Sequence, residues 1–85
     1  MILSAILLQA AAGAALGKVG AALGAAIAAL AGAIGIGKIG KSTMEAIARQ
    51  PESASNLRTS MLIAAGMVEG AALFAIIVCL LTIFF

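Results

Sequence analysis

Apolar positions fill this chain almost without interruption, and its few charges cut it into blocks. Nineteen uncharged residues, Val19 to Gly37, separate Lys18 from Lys38. As a helix rising about 1.5 Å per residue they extend about 28 Å, close to the ~30 Å hydrocarbon thickness of a bilayer. From Thr59 to Phe85, twenty-seven residues contain one charged side chain, Glu69, which is long enough to cross with some tilt. The pattern predicts two membrane-crossing helices. Between them, GKSTMEAIARQPESASNLR holds Lys41, Glu45, Arg49, Glu52, Arg58 and the only proline. Glu45 and Arg49 stand four apart in the order that favours a helical ion pair, so the first helix is predicted to reach about Ala48. Pro51 disfavours helical geometry at Gln50 and can open the second helix. The expected fold is an all-α membrane hairpin in one unit: helix one over 1–48, a polar loop over 49–54 and helix two over 55–85.

Composition agrees with lipid as the solvent. Of the 85 residues, 65% are hydrophobic and 9% charged, against about 25% charged in a typical soluble domain. Mean hydropathy is +1.28 and the sequence pI about 9.2. There is no His and one Cys, which excludes clustered zinc sites, His-based triads and disulfide frameworks. Cys79, inside AIIVCLLTIFF, reads as a small packing residue. No catalytic residue, metal, cofactor or nucleic-acid partner is expected. Lys38, Lys41, Arg49 and Arg58 lie toward the loop and only Lys18 toward the termini, so the positive-inside rule places the loop in the cytoplasm and both termini outside. The opening MILSAILLQAAAGAALG resembles the apolar core of a secretory leader followed by small-residue cleavage sites. It lacks a basic leading segment and the helical pattern runs on through it, so Met1 is expected to start the mature chain.

The two crossings differ in texture. From Ala10 to Gly40, twenty-one of thirty-one residues are Gly or Ala, whereas from Met61 to Phe85 only seven of twenty-five are. Apolar tails give helices no hydrophobic reason to associate, so they pack in lipid through small residues that allow close approach. Gly13, Gly17, Gly20 and Gly24 recur along one helical stripe, and Gly35 and Gly37 continue a second alternation of small positions from Ala29, Ala31 and Ala33. One small face would serve a simple hairpin or dimer. Several small faces favour a many-subunit assembly, with helix one crowded inside and the bulkier helix two outside.

Glu69 is the candidate functional residue. Holding an ordinary carboxyl protonated at neutral pH costs about 3.7 kcal/mol, while leaving it charged in hydrocarbon costs from about 3 to more than 10 kcal/mol. Glu69 is therefore expected to be neutral facing lipid or protein and to ionise where water or a fixed positive charge reaches it. A group with those two states can carry a proton. The plainer reading is a Glu that glues helices through a hydrogen bond.

MEAIARQPE at Met44–Glu52, followed after a helical gap by AAGMVEGAALFA around Glu69, resembles the ring-forming proteolipid, or c-ring protein, of rotary F-type ATP synthases. The resemblance covers nearly the whole chain. It implies a homo-oligomeric ring in the bacterial inner membrane, in contact with lipids, with Glu69 as the proton carrier exchanging with half-channels in the stator a-type protein beside the ring. Arg49, Gln50 and Pro51 match the loop that contacts the γ and ε proteins of the central stalk, so that rotation drives ATP synthesis elsewhere in the complex. The chain itself would then be a non-catalytic rotor part.

Sodium-binding members of that family place Ser or Thr just after the Glu, a Gln on helix one fourteen residues before the loop Gln, and a Tyr five after the Glu. Here those positions hold Gly70 and Ala71, Ile36, and Phe74. A desolvated hard cation needs several oxygens, so the proton is the expected ion. Ile36 and Phe74 are expected to dry the site, and the Met67 carbonyl or a water to accept the carboxyl proton. Two features depart from the family pattern: Ala29, Ala31 and Ala33 stand where many members carry Gly, and Lys38 is unusual. Lys38 is read as snorkelling to the cytoplasmic interface or touching a lipid headgroup, not as a partner of Glu69. A membrane-disrupting hairpin would want a basic amphipathic face, which neither crossing has. A V-type proteolipid typically resembles a longer, duplicated chain.

Overall fold

A computed structural model describes residues 1–85. Helix α1 runs Ile2–Arg49, a 3-10 turn occupies Pro51–Ser53, and helix α2 runs Ala54–Phe84. Both helices are long and apolar enough to cross a membrane. Eight glycines lie within α1, and each would weaken a helix in water by about 1 kcal/mol relative to Ala. Lipid reverses that logic. With no water to satisfy exposed backbone groups, a lipid-exposed segment keeps every N–H and C=O paired within itself by staying helical.

The connection is tighter than the six-residue loop expected. α1 extends through Arg49, so Gln50 alone is non-helical, with φ −133° and ψ 73°. Pro51 disfavours the α region for the residue before it, and Gln50 has left that region. The Gln50 N–H still donates to the Ala46 carbonyl at 2.9 Å, and the Ser53 N–H donates to the Gln50 carbonyl at 3.0 Å. Pro51, whose missing N–H costs nothing at the first position of a helical turn, leads straight into α2. The expected ion pair forms, with Arg49 Nη2 3.7 Å from Glu45 Oε2 on the exposed surface.

The helices pack antiparallel through small residues. A Cβ added to Gly24 would lie 2.9 Å from Cys79 Sγ, one on Gly32 would lie 3.1 Å from Ala72 Cβ, and one on Gly35 would lie 3.5 Å from Val68 Cγ1. All three contacts share one register, in which Phe85 comes level with Lys18 and Val19. Only Ala21 and Gly32 are buried. Large side chains such as Ile27, Leu30, Phe74 and Val78 point away from the seam, 58–73% exposed. Such a surface needs lipid or further protein to cover it.

The Gly24 contact is tight enough to test. Gly24→Ala is expected to destabilise the hairpin by about 1–3 kcal/mol, the usual cost of overpacking. Adding Cys79→Ala should recover most of that loss by removing the sulfur. Unfolding midpoints in a denaturing-detergent titration read both changes.

α1 also outruns its partner. Residues 1–20 are all exposed, and the molecule is 75 Å long. The part of α1 before Lys18 has no α2 beside it.

Candidate functional site

Glu69 is the midpoint of α2, fifteen residues from Ala54 and fifteen from Phe84, or about 22 Å of helix from either end. It is the only acidic residue in α2. The half-buried positions Leu57, Met61, Ala64, Val68, Ala72, Ile76 and Cys79 recur every three or four residues and mark the seam with α1. Glu69 follows Val68, so its exposed side chain emerges beside that seam and not within it. There it lines a groove of about 500 Å³ with Ala29, Gly32, Ala33, Ile36 and Gly37 of α1 and Ala72, Leu73 and Ile76 of α2. The groove is apolar apart from the carboxyl.

No side chain in the chain answers that carboxyl. Glu69 takes part in none of the side-chain hydrogen bonds, which are made by Thr43, Thr59 and Thr82, and the sole ion pair is Glu45–Arg49. Lys38 sits in a different groove, with Ser42, Thr43, Ser60 and Met61, nearer the turn.

Ile36 shares the groove of Glu69, while the side chains of Met67 and Phe74 leave α2 on another face. Ile36 is half-buried in the same groove. Met67 and Phe74 are each 73% exposed and stand roughly 140–160° around α2 from Glu69, at 3.6 residues per turn. They lie seven apart and so share a face. Gly70 has open space around its Cα. Arg49, Gln50 and Pro51 are exposed together at the turn, where the sequence placed them.

The glycines divide by role. Gly24 and Gly35 serve the contact within the hairpin, while Gly13, Gly17, Gly20 and Gly37 have nothing within reach. Gly32, absent from the stripes expected from spacing, is the one buried glycine. Its signal was its position, eight after Gly24 and three before Gly35, which keeps all three on one helical face. On the side of the seam opposite Glu69, at a similar height, a second groove of about 330 Å³ is lined by Ala28, Ala31, Gly32, Val68, Ala71, Ala72 and Ala75. One flank of the hairpin thus carries a carboxyl in an apolar groove, and the other a trough of small residues.

Comparison with known proteins fits this arrangement. Residues 19–82 match the family model for the C subunit of ATP synthase. Among relatives that bear the same name, one from Phocaeicola vulgatus is 68% identical over 83 residues, covering 98% of this chain and 99% of its own. One from Bacteroides fragilis is 58% identical over 84 residues, and one from Bacteroides thetaiotaomicron 52% over 84, each covering 99% of both chains. An all-helical hairpin with a lone mid-helix carboxyl, matched by that model over most of its length and by relatives over almost all of it, belongs to the ATP synthase C-subunit family.

Proposed function

We propose that this chain is the proton-carrying rotor protein of a bacterial membrane ATP synthase, and that reversible protonation of Glu69 couples proton flow to rotation of a ring of identical copies. The observation that carries this reading is the position of Glu69, a single carboxyl at the midpoint of a membrane-length helix, in an apolar groove and without an internal partner. Over most of the range given for a charge in hydrocarbon, burying it there costs more than holding a proton. Protonated, Glu69 can travel through lipid. Deprotonated, it needs water or a fixed cation, which half-channels and a basic side chain of a stator protein would supply. One charge crossing 100 mV is worth about 2.3 kcal/mol, so several transfers are needed per ATP. Apart from the O–H bond of Glu69, the chain makes and breaks no covalent bond; it is a non-catalytic part of the complex.

The two flanks support a ring. A carboxyl groove on one side of the seam and a small-residue trough on the other form a heterologous pair, and head-to-tail contacts of that kind make a ring where the rotation between copies closes. In such a ring Phe74 can cover the Glu69 of the next copy, and the Met67 carbonyl or a water can accept its proton. Their expected role in the site is then filled between chains. α1, with the smaller residues, fits the crowded inner circle and α2 the outer one. The basic count at the turn places it in the cytoplasm with the termini outside, where Arg49, Gln50 and Pro51 can meet the central stalk.

The groove supports the proton as the carried ion. Glu69 is its only charged lining residue and no hydroxyl or amide side chain joins it, whereas a dehydrated sodium ion would want several oxygens. Carbodiimide, which attacks protonated carboxyls, should label Glu69 at the same rate with and without sodium. Clear protection by sodium would overturn the proton assignment.

A further inference from the structure

The segment of α1 that precedes Lys18 has no place in a single bilayer crossing. Apart from Lys18, α1 carries no charge from Ile2 to Gly37, about 55 Å of helix against a hydrocarbon core of about 30 Å. Tilting does not absorb the excess. Even at 40°, the upper end of observed tilts, about 42 Å would remain along the bilayer normal, and α1 cannot tilt apart from α2, which is packed against it at Gly24, Gly32 and Gly35. The register puts the end of α2 level with Lys18. The sixteen residues Ile2–Gly17, about 24 Å of helix, project beyond that level with Ile2, Leu3, Ile6, Leu7 and Leu8 55–80% exposed. The family model begins at Val19, just past the projection, while the relatives named above match through the projection as well.

We propose that this projection is a cleavable leader, contrary to the expectation from sequence that Met1 starts the mature chain, and that the processing site is the Ala12–Gly13 bond. The run ILSAILL at Ile2–Leu8 has the length of a leader's apolar core, for which about 7–15 residues is typical. Gln9 ends it, and Ala10 and Ala12 then place small side chains three residues and one residue before the bond, the pattern that leader-cleaving proteases read. A membrane-embedded protease of the signal-peptidase type would add water across that amide, leaving a carboxylate on Ala12 and a new α-amino group on Gly13. The remaining chain would start about one turn before Lys18, nearly flush with the end of α2. This proposal is independent of which ion Glu69 carries.

The test is the intact mass of the chain extracted from purified complex, made in a bacterium with its own leader peptidase. The expected mass is that of Gly13–Phe85, or of Ala15–Phe85 if the overlapping Ala12-Gly13-Ala14 site is used. The mass of the complete chain, with or without Met1, would overturn the proposal. The double substitution Ala12→Leu and Ala14→Leu puts bulky side chains next to both bonds and should restore the uncut mass. If the wild type is shortened and this variant is shortened identically, the site is wrong.

Discussion

Glu69→Gln is expected to yield a complex that assembles fully and has no proton-coupled ATP synthesis above background. Gln has the shape of a protonated Glu and, like it, carries no charge, so the apolar groove with Ala29, Gly32, Ala33 and Ile36 accepts it at no electrostatic cost. It cannot release a proton at any pH the membrane experiences. Every copy would then be locked in the lipid-compatible state, and none could enter a half-channel and discharge. Glu69→Asp keeps the carboxyl on a side chain one methylene shorter, and should retain part of the flow. ATP synthesis driven by a pH gradient in reconstituted vesicles measures both. If Glu69→Gln supports synthesis, the carboxyl is structural glue and the proton passes elsewhere.

The second large effect is expected on the opposite flank. Ala31 lies exposed in the trough formed with Ala28, Ala71 and Ala75, which is the proposed seat of the neighbouring hairpin. Helices in lipid hold together by close packing, so Ala31→Phe should block the neighbour while leaving the hairpin seam at Gly24, Gly32 and Gly35 untouched. The expected result is a helical protein that runs near its 8.3 kDa chain mass in place of a detergent-stable oligomer many times larger. Ile77→Phe places the same bulk on the face of α2 turned from α1, and should leave the oligomer intact. An Ala31→Phe oligomer as stable as the wild type would remove the trough from the interface.

Much of this architecture is legible in the sequence alone. Lys18, Lys38 and Arg58 delimit the crossings because charge is the costliest thing to place in lipid, so a handful of residues carries the expected topology. The Glu45–Arg49 pair and the break at Gln50 follow from local rules that depend on a few consecutive residues. The length of the connection does not, because Pro51 begins a helical turn as readily as it ends a loop, and only the packed helices decide between them. The glycine stripe is right in kind and incomplete in detail. Spacing groups Gly24 with Gly13, Gly17 and Gly20, but α2 ends near Lys18, so Gly24 alone of the four has a partner within the hairpin. Gly32 is hidden among Ala29, Ala31 and Ala33, where every position is small and size carries no contrast. Met67 and Phe74 are assigned to the site by resemblance. Helical spacing already turns their side chains from their own Glu69, two and five residues away, and what the sequence leaves open is whether a neighbouring copy brings them back.

The most direct measurement is carbodiimide labelling of the intact complex, with the label located by fragment mass spectrometry and proton flow followed in the same sample. Loss of flow with the label on Glu69, and none on Glu45 or Glu52, is the predicted result. Loss of flow with Glu69 unmodified, or undiminished flow with Glu69 fully modified, would contradict the assignment of this carboxyl as the proton carrier.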